Sequence, residues 1–186
     1  MSPQLFTIGH STQSLEKFLA LLGQHDIELL ADIRRFPGSR KFPQFNQEPL
    51  AAALQAAGIE YRWFEILGGR RGKAVHRSPQ NLGLRNDSFR NYADYMLTAD
   101  FRQGIDKLLA TAGEKRTAMM CSESVFWRCH RRLVSDFLLA KGTAVRHIMP
   151  SGELRPHTLT AGAKVTDGEL AYPSPEADQA RLPFAE

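Results

Sequence analysis

The sequence predicts an α/β fold, with a mainly parallel five-stranded sheet flanked by helices and a site at the C-terminal strand edge. Three observations predict it. Short apolar runs alternate with amphipathic helical segments along the chain. Their strand-helix-strand order calls for parallel pairing with right-handed crossovers. Polar and reactive residues gather where the predicted strands end, which is where open parallel sheets bind ligands.

The strands are expected at Leu5–Ile8, Glu28–Ile33, Glu60–Phe64, Thr117–Cys121 and Ala144–Ile148. Between the first two, Leu15, Phe18, Leu19 and Leu22 repeat at helical spacing behind Ser14, a residue type that caps helix N-termini. Asn46 is placed to cap a second helix with Pro49 in its first turn, and Gly58 ends it. Ser88 is expected to open a third, short helix through Phe89, Tyr92 and Met96. Thr98 is expected to cap a fourth, which presents Phe101, Ile105, Leu108 and Leu109 on one face. A fifth is expected from about Trp127 to Lys141, stopped by Gly142. The stretch Leu67 to Asp87, rich in Gly, Arg, Asn and Ser, breaks the rhythm and reads as a long functional or mobile loop.

Length and composition bound the class. The 186 residues suffice for one well-filled core, and 42% hydrophobic with 24% charged residues is the balance of a water-soluble globule. No apolar run is long enough to cross a bilayer, so no membrane partner is expected. The N-terminus lacks the basic and apolar regions of a secretory leader. Cys121 and Cys129 are too few for a disulfide scaffold, and a reducing, cytoplasmic setting is the expectation. One domain is expected over residues 1–166. An acidic, extended or disordered tail is expected over 167–186.

The net charge of +4 is unevenly placed. Residues 167–186 carry five acids and one base, while residues 31–90 carry eleven Lys/Arg against five Asp/Glu. The basic stretch includes Arg34, Arg35, Arg40, Lys41, Arg70, Arg71 and Lys73. Such a surface suits phosphates, nucleic acid or small anions, or serves simply as a solvated face.

The predicted strand ends are chemically loaded. The first runs into Gly9-His10-Ser11-Thr12, and the second into Asp32-Ile33-Arg34-Arg35. The third leads to Leu67-Gly68-Gly69-Arg70, the fourth to Cys121-Ser122-Glu123-Ser124, and the fifth ends Arg146-His147. The densest cluster runs from Cys121 to Arg132, where a strand gives way to a loop and then a helix. Loop amides and a helix N-terminus form an anion cradle, and the same positive end favours a thiolate at Cys121. His130 is then a partner for Cys121 or for a bound anion, and Arg128 and Arg132 share another helix face.

Three chemistries compete for the cluster. Thiol catalysis needs an activated cysteine near positive charge, which Cys121 meets. Arg128, however, lies seven positions after Cys121, one beyond the Cys-x5-Arg spacing of thiol phosphatases. Metal binding by His10, Cys121, Cys129, His130 or His147 lacks the usual paired-ligand spacings. Carboxylate chemistry has Asp32, Glu65 and Glu123 to draw on, each equally suited to orienting an arginine or histidine.

Several segments together resemble the domain of unknown function 488 family. They are Thr7-Ile8-Gly9-His10-Ser11, Asp32-Ile33-Arg34 with Pro37 and Ser39-Arg40, Phe45-Asn46, Leu67-Gly68-Gly69, and Tyr92 with Met96. Further along stand Cys121-Ser122-Glu123, Cys129-His130-Arg131-Arg132, His147-Ile148, and His157 with Leu159-Thr160. They span about residues 5–165, leaving the acidic tail outside. The resemblance implies a compact α/β domain and carries no activity with it.

The leading expectation is an enzyme that acts on an anionic, phosphate-bearing or nucleotide-like substrate and uses no cofactor and no metal. Arg34, Arg40, Arg128 and Arg131 would hold the anion. His10 and His130 would exchange protons, Cys121 would be the nucleophile, and Glu123 would orient or accept a proton. The rival is a non-catalytic nucleic-acid-binding module that uses the basic 31–90 surface, with Phe36, Phe42, Phe45, Trp63 and Phe64 as candidates for stacking on bases.

Overall fold

The computed structural model describes residues 4–72 and 77–175. Five parallel strands carry the fold: β1 (Gln4–Gly9), β2 (Leu29–Asp32), β3 (Glu60–Trp63), β4 (Thr117–Cys121) and β5 (Ala144–Ile148). A sixth strand, β6 (Leu154–Pro156), pairs antiparallel with β5, giving the order β3-β2-β4-β1-β5-β6. The α/β class and the parallel five-strand sheet are as expected. The short β6, polar and closed by a proline, carried no apolar run to announce it.

Helices cover both faces: α1 (Leu15–Gln24), α2 (Gln47–Ala56), α3 (Asp87–Tyr95), α4 (Ala99–Glu114) and α5 (Arg131–Ala140). Strand side chains alternate between two cores. Phe6, Ile8, Leu30, Ala118 and Met120 pack with Phe18, Leu22, Phe45, Leu50 and Leu54 on the α1/α2 face. Leu5, Leu29, Ala31 and Met119 pack with Tyr92, Phe101, Leu108, Leu133 and Val134 on the face of α3 to α5. None of the described helices is long and apolar enough to cross a membrane.

The caps largely follow the sequence. Ser14 accepts from the Lys17 amide, and Thr98 from that of Phe101. Asn86, two residues before the expected Ser88, caps α3. Asn46 stands at the start of α2, but its side chain accepts from the Ser39 amide at 2.6 Å and braces the preceding loop.

The fifth helix departs most. Residues Phe126–Arg128 form a separate 3-10 turn, and α5 begins only at Arg131. Two contacts separate them. The Phe126 ring lies flat on His147, with centroids 3.5 Å apart, and Cys129 takes an extended backbone that turns its sulfur toward Cys121. Arg128 therefore stands outside the helix, and the face it was expected to share with Arg132 does not exist.

The acidic end also differs from the expected tail. β7 (Lys164–Thr166) and β8 (Glu169–Ala171) form a hairpin around Asp167-Gly168, both at positive φ. Asp-Gly is the sequence signature of that tight turn. Tyr172, buried beyond the hairpin, donates to Asp136 at 2.7 Å. The part of the tail from Glu176 onward and Lys73 of the basic stretch lie outside the described residues. Within the Leu67–Asp87 segment, Arg71 is fixed by the carbonyls of Ile66 and Gly68 and by the Tyr95 ring 3.7 Å below its guanidinium.

Candidate active site

A cleft of about 720 Å³ opens at the carboxyl ends of the parallel strands. His10, Arg34, Cys121, Glu123, Arg128, Cys129 and His130 all line it, together with Arg35, Arg70, Phe36 and Phe42. Gly9 lets the β1 and β4 ends meet there. A Cβ on Gly9 would lie 1.7 Å from the Glu123 carbonyl oxygen, so only glycine allows the loop after β4 to cross so closely. The His10 and Ser11 amides then donate to the Cys121 and Ser122 carbonyls. Two cleft residues, Ser11 and Arg70, hold left-handed backbones (φ 45° and 55°), a conformation that side-chain-bearing residues seldom adopt away from functional sites.

One wall is a closed polar network. Arg34 grips Asp32 through two nitrogens, Nε to Oδ1 at 2.9 Å and Nη2 to Oδ2 at 2.6 Å, and Tyr61 donates to the same carboxylate at 2.7 Å. Asp32 is fully buried, and Tyr61 is held protonated by burial and by the adjacent carboxylate. Arg34 Nη1 lies 3.3 Å from His10 Nε2, and His10 Nδ1 lies 3.0 Å from the Ser11 carbonyl. Only the Nδ1–H tautomer satisfies both contacts: Nδ1 donates to Ser11 while Nε2 accepts from Arg34. His10 also stacks on Phe45 at 4.3 Å. Burial, opposed by the bond to Ser11 and reinforced by the Arg34 charge, lowers its pKa to about 4. His10 is thus neutral, with both ring nitrogens engaged. Arg34 keeps its place on the wall, but most of its donors face Asp32 and His10 rather than a ligand.

The opposite wall holds the reactive groups. Cys121 and Cys129 are buried free thiols with their sulfurs 2.9 Å apart. Cys129 lies just before α5, where the helix N-terminus favours negative charge. Arg131 Nε donates to Cys129 Sγ at 3.2 Å, and the Cys121 thiol donates to it as well. Although burial alone would raise it, the Cys121 bond and the Arg131 charge hold the Cys129 pKa well below the ordinary thiol value. Burial and its donation to Cys129 push the Cys121 thiol up. The two thiols are thus pushed in opposite directions, Cys121 up and Cys129 down, the reverse of the lowering expected at Cys121.

His130 sits between the two walls. Its Nε2 donates to the Ile33 carbonyl at 2.8 Å, which leaves Nδ1 as an acceptor. A Cβ on Gly69 would come within 2.9 Å of that Nδ1, so the glycine keeps space open in front of it. Burial keeps His130 neutral near pH 7. Glu123 exposes its side chain at the rim and uses its backbone on the site: its amide donates to Cys121 Sγ at 3.3 Å.

Two expected anion ligands stand elsewhere. Arg40 is exposed and does not line the cleft. Arg131 is buried behind it, with its guanidinium donating to Cys129 Sγ, to the Glu123 and Ser124 carbonyls and to Thr7 Oγ1. Arg131 is a charge beneath the Cys129 sulfur, with its donors turned away from the open cleft.

From Arg131 a buried hydrogen-bond chain leads away from the cleft. Thr7 accepts from Arg131 and donates to His147 Nδ1 at 2.7 Å. His147 Nε2 donates to His157 Nδ1 at 2.9 Å, and His157 Nε2 donates to Asp136 at 2.8 Å. His147, expected at the common edge, thus sits behind the site, with its pKa lowered to about 2 by burial, His157 and Arg131. Thr7, Tyr61 and Asp136 had no role in the sequence reading. Thr7 opens one of the family-resembling segments, but its role, like those of Tyr61 and Asp136, depends on partners far off in sequence. Among the described residues no group of three or more His, Cys, Asp or Glu side chains is arranged to hold a metal ion.

A family model, the domain of unknown function DUF488, matches residues 14–138, more than half of the chain. The chain belongs to the DUF488 family. No curated protein and no solved structure gives a significant match. Within this DUF488 chain, the matched span contains both cysteines, His130, Arg131 and the Asp32–Arg34 pair, while His10, His147, His157 and Tyr172 lie beyond it.

Proposed function

We propose that this DUF488 protein is an enzyme that acts on an anionic, phosphate-bearing or nucleotide-like substrate by thiolate attack from Cys129. The observation that carries this reading is the Cys129 sulfur on the cleft wall, backed by the Arg131 guanidinium at 3.2 Å and followed by His130, whose Nδ1 is an open acceptor. Arg35, Arg70 and Arg128 supply the positive rim that draws an anion in. Cys129 would bond to the electrophilic centre as the leaving group departs. The incoming water or acceptor would then bond to that centre and displace the Cys129 thiolate, giving its proton to His130 Nδ1.

The test combines labelling and binding. Iodoacetamide should modify Cys129 well before Cys121 at neutral pH, and inorganic phosphate should slow that labelling. Arg128→Ala should weaken phosphate binding by about 1.5–3 kcal/mol in calorimetry. Equal labelling of the two cysteines, or unchanged phosphate affinity, would remove the assignment.

Phe36, 64% exposed at the cleft mouth, favours a second reading as a nucleic-acid-binding module, because an exposed ring there can stack on a base. Phe45 and Phe64, also expected as stacking residues, are buried in the core instead. Steep salt dependence of oligonucleotide binding that is indifferent to thiol alkylation would select this reading.

A further inference from the structure

We infer that Cys121 and Cys129 form a redox-active pair that exchanges with low-molecular-weight disulfides carrying carboxylates, with Cys129 as the attacking sulfur and Cys121 as the resolving one. The inference shares with the proposed function only the nucleophilic Cys129; it requires no phosphate. Three observations carry it. The two sulfurs are already in contact at 2.9 Å, so joining them needs little movement of the chain. Both line the cleft, so a small disulfide entering it meets them. The surroundings divide the roles, because Arg131 donates to Cys129 whereas the Glu123 amide is the donor to Cys121. The arginine rim suits the carboxylates of such a disulfide.

The steps balance with the disulfide as oxidant. The Cys129 thiolate attacks one sulfur of RS–SR, forming Cys129–S–SR and releasing RS⁻. Cys121 then loses its proton, to water or to the departing thiolate, and attacks Cys129 Sγ. The second RS⁻ leaves and the Cys121–Cys129 disulfide remains. The pair has lost two electrons, and RS–SR has become two thiols. Attack needs the thiolate form, and the Cys121 bond and the Arg131 donor lower the Cys129 pKa and so favour it. Oxidation would remove the anionic partner of Arg131 and silence Cys129 as a nucleophile until a thiol reduces the bond.

Oxidised glutathione is the probe, and intact mass spectrometry near neutral pH is the readout. The native protein should lose the mass of two hydrogens and keep no adduct. Cys121→Ser should instead trap a stable glutathione adduct at Cys129. Cys129→Ser should react at least tenfold more slowly. A persistent glutathione adduct on the native protein, or no reaction while iodoacetamide still labels Cys129, would overturn the inference. Phosphate titration of Cys121→Ser reports separately on the anion-binding reading, so the two can fail independently. Circular dichroism of each variant confirms that loss of reaction is not loss of fold.

Discussion

Arg34 and Arg131 are both buried guanidinium groups beside the same cleft, and they differ in what balances them. Arg34 faces the carboxylate of Asp32 at 2.6 Å, so its charge is neutralised on the spot and the wall around it is fixed and electrically quiet. Arg131 has no carboxylate within ion-pair distance among the described residues. It meets backbone carbonyls, a hydroxyl and a sulfur. Its nearest acid along the hydrogen-bond chain is Asp136, reached through Thr7, His147 and His157. The positive charge left uncancelled beside Cys129 joins the Cys121 hydrogen bond in lowering that thiol's pKa. One buried cation is held by a carboxylate, and the other faces a thiol.

The largest expected break in this comparison is Arg131→Met. It should cost about 3–5 kcal/mol in urea unfolding, the usual loss when one member of a buried charged network is removed. It should also abolish alkylation of Cys129 at neutral pH. Arg131→Lys, which keeps the charge, should preserve part of the alkylation even if stability falls.

Next is acid sensitivity on the Arg34 side. His10 has a folded pKa of about 4 against 6.5 unfolded, so the folded state binds fewer protons between these values. Its stabilising contribution is fully present above pH 6.5. It is lost progressively as pH falls to about 4, for a total of about 3 kcal/mol. Urea midpoints at pH 7, 5.5 and 4 should show this fall, and His10→Gln should flatten it over that window. His147 adds its own dependence equally to both proteins, so their difference isolates His10.

Asp32→Asn should convert the quiet wall into one resembling the Arg131 side, at about 2–3 kcal/mol of stability. It should leave the Cys129 alkylation rate close to native, which separates the two walls. The smallest effect should come from Tyr61→Phe, which removes one hydrogen bond to Asp32 and should cost about 1 kcal/mol with no change at the thiols.

Much of the scaffold was legible because the apolar periodicity is strong. β4 and β5 fall on their predicted residues, and Ser14 and Thr98 cap the helices they announce. Much of the cleft lining was legible because parallel strands deliver their C-terminal ends to one edge, although Arg40, Arg131 and His147 lie outside it. Their roles were not. The amphipathic repeat after Trp127 is equally consistent with a helix starting there or at Arg131. The choice is made by Phe126 stacking on His147, a contact across 21 positions. That four-residue shift leaves Cys129 just before the start of α5 rather than within its first turn. The relay through Thr7, His147, His157 and Asp136 depends on register between β1 and β5, where Thr7 faces His147. The hairpin after Lys164 was open to reading, since Asp167-Gly168 marks it, but its sparse apolar content made it resemble a tail.

The central position of β1 also governs how the chain reaches its native state. β1 pairs with β4 and β5, and Thr7 meets His147 across 140 positions, so both sides of this strand close late and over long loops. Folding dominated by such distant contacts is slow compared with that of helical bundles. The setting of the Cys129 sulfur, against Cys121 and an Arg131 held by Thr7, needs β1, β4 and the start of α5 together. In an unfolded chain both thiols titrate near ~8.5 and are inert in mildly acidic solution. Under the proposed assignment of Cys129 as the nucleophile, the usual relation between burial and labelling is inverted: the folded protein should label faster than the unfolded one at mildly acidic pH, and the onset of that labelling should report closure of the sheet.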